Sequence, residues 1–97
     1  MRRIAFEWNP SKNRSNLRKH GVSFEEAQTV FYDRYARVIS DPDHSVMEDR
    51  FIIIGISERL RTLVVCHCYR KSASVIRIIS ARKADRKERK TYQEYLP

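Results

Sequence analysis

His20, His44, Glu48 and Arg77 are the side chains of this 97-residue chain whose types suit chemistry at a phosphate. An imidazole titrates near neutral pH and can give or take a proton, and a carboxylate can do the same as general acid or base. A guanidinium is planar, always charged, and meets two phosphate oxygens at once. Each has a plainer role beside it. His20 precedes Gly21 and could cap a helix C-terminus, where an imidazolium is favoured by the helix dipole. Arg77 could pair with a carboxylate such as Glu7 or Glu48. From residue types alone the set fits nucleic-acid binding first, without deciding catalysis.

Charge points the same way. There are 20 Lys and Arg against 12 Asp and Glu, a formal net charge of +8. Such an excess calls for an anionic partner: nucleic acid, a membrane surface or an acidic protein. The charges come in blocks. Lys12, Arg14, Arg18 and Lys19 occupy residues 11–20 with no acid, and residues 82–90 carry six cations, Arg82, Lys83 and Arg86 among them, against Asp85 and Glu88. Residues 41–49 hold four acids and no Lys or Arg, and this loop would present His44, Glu48 and the following Arg50 to a site. The alternative is a set of solvated faces.

The elements that must position these groups follow from periodicity and caps. Residues 4–8 alternate as a short strand, and Asn9-Pro10 reads as an N-cap with proline in the first helical position, opening a helix that stops at Gly21. On that helix Lys12, Asn16 and His20 stand one above another, with Arg14 and Arg18 in a neighbouring stripe. Its single aliphatic residue, Leu17, gives it little to bury, which suggests a working surface. Ser23-x-x-Glu26 opens a second helix with an apolar face of Phe24, Ala27, Val30 and Phe31, and Asp85-x-x-Glu88 opens a terminal one ending near Leu96. Residues 36–40, 51–54, 62–69 and 74–81 are strand-like, with short polar connections that favour consecutive hairpins. The expected fold is α+β: one small domain over residues 1–97, in the order β-α-α-β-β-β-β-α, with a largely antiparallel sheet.

Alternation on the last strand sends Arg77 to one face and Ser80 and Arg82 to the other, so the two arginines would not share a site unless the strand bulged. The same rule separates Cys66 and Cys68 from His67, which argues against a zinc site and for a sheet histidine with satisfied partners. The acidic loop lacks the glycine turn of a calcium site. No metal and no cofactor is expected. No apolar run is long enough to span a bilayer, and the N-terminus breaks its apolar residues too early for a signal peptide; the expectation is a cytoplasmic protein with no membrane partner.

Three stretches lie in order along the chain: F-E-W-N-P-S-K-x-x-x-N-L-R-K-H-G-V-S-F-E-E-A-x-x-V-F-x-D, then D-P-D-H-x-x-x-E-x-R-F-I-I-I-G, then I-R-I-I-S-A-R-K-A-x-x-x-E-R-x-x-Y. Together they resemble the BrnT toxins of bacterial type II toxin–antitoxin systems, with Asn9 where the family usually has aspartate. The resemblance implies a RelE-like ribonuclease that cuts RNA and slows translation. It also implies a ribbon-helix-helix antitoxin (BrnA-like), with operator DNA bound only through the antitoxin complex. The family's polar motif positions fall on Lys12, Lys19, His20, His44, Glu48, Arg50, Arg77, Ser80, Arg82, Lys83 and Tyr92.

A metal-independent mechanism would suit these residues, because RNA supplies its own nucleophile, the ribose 2′-hydroxyl. Arg77 and Arg82 would stabilise the phosphate, His20, His44 or Glu48 would move protons, and Tyr92 would stack on a base or donate a hydrogen bond. Lys12, Arg14, Arg18, Lys19, Arg50, Ser80, Lys83 and Arg86 would hold the RNA backbone. The competing readings are a non-catalytic nucleic-acid-binding module and a basic protein that only docks its antitoxin.

Overall fold

The helices begin where the sequence places caps. In the computed structural model, which describes residues 4–40, 50–71 and 74–97, β1 (Ala5–Glu7) is followed by α1 (Pro10–His20) and α2 (Phe24–Thr29), the latter continued by a 3-10 turn over Val30–Tyr32. The Asn9 side chain accepts from the backbone N–H groups of Ser11 and Lys12, and Gly21 closes α1 with φ of 70°, a conformation that favours glycine. Ser23 caps α2 through the Glu26 N–H, but the Glu26 carboxylate does not complete a capping box. It turns inward, where it accepts from Ser57 Oγ at 2.7 Å and pairs with Arg61. The Arg61 bond, against the cost of burial, holds the Glu26 carboxyl below its ordinary range and ties the turn after β3 to α2.

Four further strands and a helix complete the order: β2 (Arg37–Ser40), β3 (Arg50–Ile56), β4 (Thr62–Arg70), β5 (Val75–Lys83) and α3 (Arg86–Glu94), the helix opening on a complete Asp85–Glu88 capping box. Among the described residues the sheet has five strands in the order β1-β5-β4-β3-β2. Strands β2 to β5 run antiparallel, as expected. At the other edge β1 pairs parallel to β5, making the sheet mixed.

The sheet has two unlike faces. The first is covered by α1 and α2, and its core joins Val22, Phe24, Ala27 and Val30 to Ile53, Leu63, Val65, Ile78 and Ala81. Gly55 lies at the closest approach, where a Cβ would come within 2.9 Å of Val30 Cγ1. Among the described residues, the second face carries α3 at one end only. There Glu88 grips Arg82, and the Arg37 guanidinium sits 3.5 Å from the centre of the Tyr95 ring. Arg82 and Arg37 are the two ends of the cross-strand row Arg82–Val64–Ile54–Arg37, so the helix lies over that row and buries Val64.

α1 docks by amides rather than by oil. Asn16 is buried; its Nδ2 donates to the carbonyls of Val22 and Ala81 at 2.8 Å each, and its Oδ1 accepts the Ala81 N–H. Asn13 accepts the Phe24 N–H and donates to Glu25, while Leu17 remains about half exposed. A helix with almost no apolar face is thus held without one, and Asn16 belongs to its sheet-facing side rather than to a working stripe with Lys12 and His20.

Candidate functional site

The geometry of the second face turns on one residue. Along β4 and β5 the partners run Val64–Arg82, Val65–Ala81 and Cys66–Ser80, then shift to His67–Ile78 and Cys68–Arg77. Ile79 is the extra residue, a β-bulge, and it reverses the alternation of the strand. Ile76 and Ile78 are buried before the bulge and Ala81 after it. Arg77, Ser80 and Arg82 therefore share the second face. The strict alternation expected from sequence put them on opposite faces, and the bulge is the reason it did not hold.

On this face the sheet builds cross-strand rows. The first is Glu7–Arg77–Cys68–Arg50 and the next is Ser80–Cys66–Ile52–Ile39. The third, Arg82–Val64–Ile54–Arg37, lies under α3. Arg77 Nη1 donates to Glu7 Oε2 at 2.9 Å, and Arg70 Nε lies 3.3 Å from the same oxygen. The pairing with Glu7 anticipated from sequence is present, and it leaves two guanidiniums around one carboxylate. Arg70 and Glu7 were not among the expected site residues. The F-E-W motif carries the one signal for Glu7, while Arg70 stands at a hairpin end with none.

Arg82 is engaged differently. Its guanidinium meets both Glu88 oxygens, at 2.7 and 2.8 Å, a bidentate pair that ties the end of β5 to the capping box of α3 and holds the Glu88 carboxyl below its ordinary range. Arg86 is exposed beside it at the start of α3, while Lys83, opposite Leu63, ends β5 exposed on the first-face side. Arg50 opens β3 in the Arg77 row. His44 and Glu48 lie outside the described residues, in the connection between β2 and β3, which rejoins the sheet at Arg50.

Other expected site residues lie elsewhere. Lys12, Arg14, Arg18, Lys19 and His20 are exposed on α1, which covers the first face, so the sheet separates them from Arg77. Tyr92 is 3% exposed, and its hydroxyl donates to Asp33 Oδ2 at 2.5 Å. A ring buried in this way cannot stack on a base, and burial together with the charged Asp33 pushes its hydroxyl well above the ordinary tyrosine range. Tyr92 is a structural residue. So is His67, fully buried on the first face with its ring edge-on to Phe31 at 4.8 Å and Nε2 3.3 Å from the Tyr69 hydroxyl; burial lowers its pKa. Cys66 and Cys68 lie on the opposite face from His67, as alternation requires, and neither is in a disulfide. Among the described residues no three His, Cys, Asp or Glu side chains gather as metal ligands, and no helix is long and apolar enough to cross a membrane.

Among the described residues, the arrangement is a cationic sheet face, open at one end, with a carboxylate set between two arginines. No curated protein matches the sequence. Among solved structures, the crystal structure of the Brucella abortus ribonuclease toxin BrnT is similar: 22% of residues are identical, 87% of this chain and all of that one are covered, and the TM-score is 0.67. At that identity the likeness speaks for the fold. The family model described as the ribonuclease toxin BrnT of type II toxin–antitoxin systems matches residues 8–88. That span runs from Trp8, just after β1, through the bulge to Glu88, and with it the chain belongs to the BrnT family of ribonuclease toxins.

Proposed function

We propose that this toxin is a RelE-like, metal-independent endoribonuclease that binds RNA across the second face of its sheet and slows translation by cutting it. The observation that carries the reading is the Ile79 bulge, which sets Arg77, Ser80 and Arg82 on one face, with Arg50 in the Arg77 row. Arg77 is the principal phosphate ligand, because its partner Glu7 is shared and monodentate toward it. Arg82 reinforces the phosphate site from its place beside α3, while Arg50, Ser80 and Arg86 hold the flanking backbone and Lys83 reaches RNA only around the end of β5. His44 and Glu48 are the candidates for proton transfer from the connection that ends at Arg50.

His20 is the last residue of α1 before the Gly21 cap and takes no part in cleavage, since it lies across the sheet from Arg77. Lys12, Arg14, Arg18 and Lys19 form a separate patch that lengthens the RNA footprint. The antitoxin is of the ribbon-helix-helix type and covers the basic surface; its own dimer brings two toxins together and carries the operator DNA contacts. The whole chain works as one domain in the cytoplasm.

Cleavage needs no metal in this scheme because the 2′-hydroxyl is the nucleophile and arginines stabilise the phosphate charge. Purified protein incubated with RNA in excess EDTA is expected to release fragments ending in a 2′,3′-cyclic phosphate. Cleavage that stops with EDTA and returns with a divalent ion would overturn the proposed mechanism. A gel shift without cleavage would replace the enzyme by a binding module.

A further inference from the structure

We infer that Glu7 is a catalytic residue of this toxin, the general base that removes the proton from the ribose 2′-hydroxyl. The inference rests on the reading that RNA is cut on the second face. β1 is only three residues long, and its parallel register sets Phe6 beside Ile76 on the first face and Glu7 beside Arg77 on the second. Phe6 anchors the strand, with its ring 5.3 Å from that of Phe31. The Glu7 carboxylate is therefore carried by a strand pinned from beneath, and it keeps 31% side-chain exposure.

Among the described residues, both contacts of that carboxylate fall on Oε2: Arg77 Nη1 at 2.9 Å and Arg70 Nε at 3.3 Å. Oε1 takes part in neither. One oxygen holds the group in place and the other is left to accept a proton. The contrast is Glu88, whose two oxygens both serve Arg82 and whose backbone and side chain also build the capping box. In RNA the attacking hydroxyl and the phosphate it attacks belong to one nucleotide, so a base and a phosphate ligand must stand side by side. Glu7 and Arg77 do so across a single strand pair. The charged or titratable groups that face Glu7 among the described residues are Arg77 from β5 and Arg70 from β4, with Cys68 next in the row.

In the step itself, Glu7 takes the 2′-hydroxyl proton as the 2′-oxygen forms a bond to phosphorus. The bond from phosphorus to the 5′-oxygen breaks, that oxygen leaves as a hydroxyl with a proton from water, and the phosphate remains as the 2′,3′-cyclic ester. Arg77 and Arg70 hold its non-bridging oxygens.

Glu7→Gln tests this, because the amide keeps the shape and an acceptor for Arg77 but cannot take the proton. The expected result is a fall in kcat of at least about 100-fold, RNA affinity within about threefold, and loss of the acid limb of the pH–rate profile. Cleavage within a few-fold of the parent, with the acid limb intact, overturns the inference and leaves Glu7 a positioning partner of Arg77. If Arg77→Ala is inactive in that case, the RNA face stands and only the base is wrong; if Arg77→Ala is also fully active, the face itself is wrong. Should Glu7→Gln not fold, Glu7→Asp decides: a reduced kcat with the acid limb kept supports the base, and an unchanged kcat overturns it.

Discussion

The two faces of the sheet use polar residues in opposite ways. On the first face they are consumed by structure: Asn16 spends its side-chain hydrogen bonds on Val22 and Ala81, Glu26 on Ser57 and Arg61, and His67 is sealed among aromatic rings. On the second face Glu7, Arg70 and Arg77 keep between about a third and a half of their side-chain surface exposed. β5 serves both faces at once. Before Ile79 it sends Ile76 and Ile78 inward, after Ile79 it sends Ala81 inward, and the arginines stay on the outer side throughout. A single inserted residue thus lets one strand satisfy the core and still gather its cations. It also places Asn16, which holds Ala81, directly behind the cationic rows.

If the faces are separable, substitutions on them should fail in different assays. The largest effect is expected from Arg77→Ala: a loss of RNA cleavage of about 100-fold or more, as for removal of one group that stabilises transition-state charge. Its melting temperature should barely move, because an ion pair this exposed contributes roughly 0–1 kcal/mol. Asn16→Ala should do the reverse. It leaves the Ala81 N–H and two carbonyls without their partner, for a loss of about 3 kcal/mol in urea unfolding, while kcat measured on the folded fraction stays near that of the parent. Arg77→Ala that unfolds the protein, or Asn16→Ala that is stable but inactive, would break the division between the faces.

Much of this scaffold can be read from local chemistry. Asn9-Pro10, Ser23 and Asp85 cap helices where expected, and the strand segments appear with boundaries off by a residue or two. What alternation missed is the bulge, although its trace is visible: apolar positions 76 and 78 give way to polar positions 80 and 82 with Ala81 between them, a change of phase at the Ile78-Ile79 pair. The parallel pairing of β1 with β5 has no such trace. It joins residues about 70 apart in sequence, and no local period encodes a partner at that distance. Glu7 was therefore readable as a partner of Arg77 but not as a neighbour of Arg70. The polarity of α1 was readable too, yet its cause was not, because an asparagine that docks a helix and one that binds a ligand look alike in sequence.

Tyr92 gives the smallest effect and the finest test of the division. The resemblance of the sequence to the family implies a polar motif position here, but the buried hydroxyl ends on Asp33, which also accepts the backbone N–H groups of Ile56 and Tyr35. Burial pushes the Asp33 carboxyl up; these three donors outweigh it and leave the group below its ordinary value of 3.8. A carboxyl depressed in the folded state contributes stability above its unfolded pKa and loses it as pH falls through the folded one. Tyr92→Phe keeps the ring and removes one donor, so it should cost about 1–2 kcal/mol near neutral pH, by the usual value of a hydrogen bond to a charged group. The difference from the parent should shrink as the pH is lowered beneath the ordinary carboxyl value of 3.8 and Asp33 takes up its proton at its still lower folded value. RNA cleavage at neutral pH should stay within about twofold. A Tyr92→Phe protein of full stability that has lost cleavage would place this hydroxyl in the chemistry, and the boundary between scaffold and site would then have to run through α3.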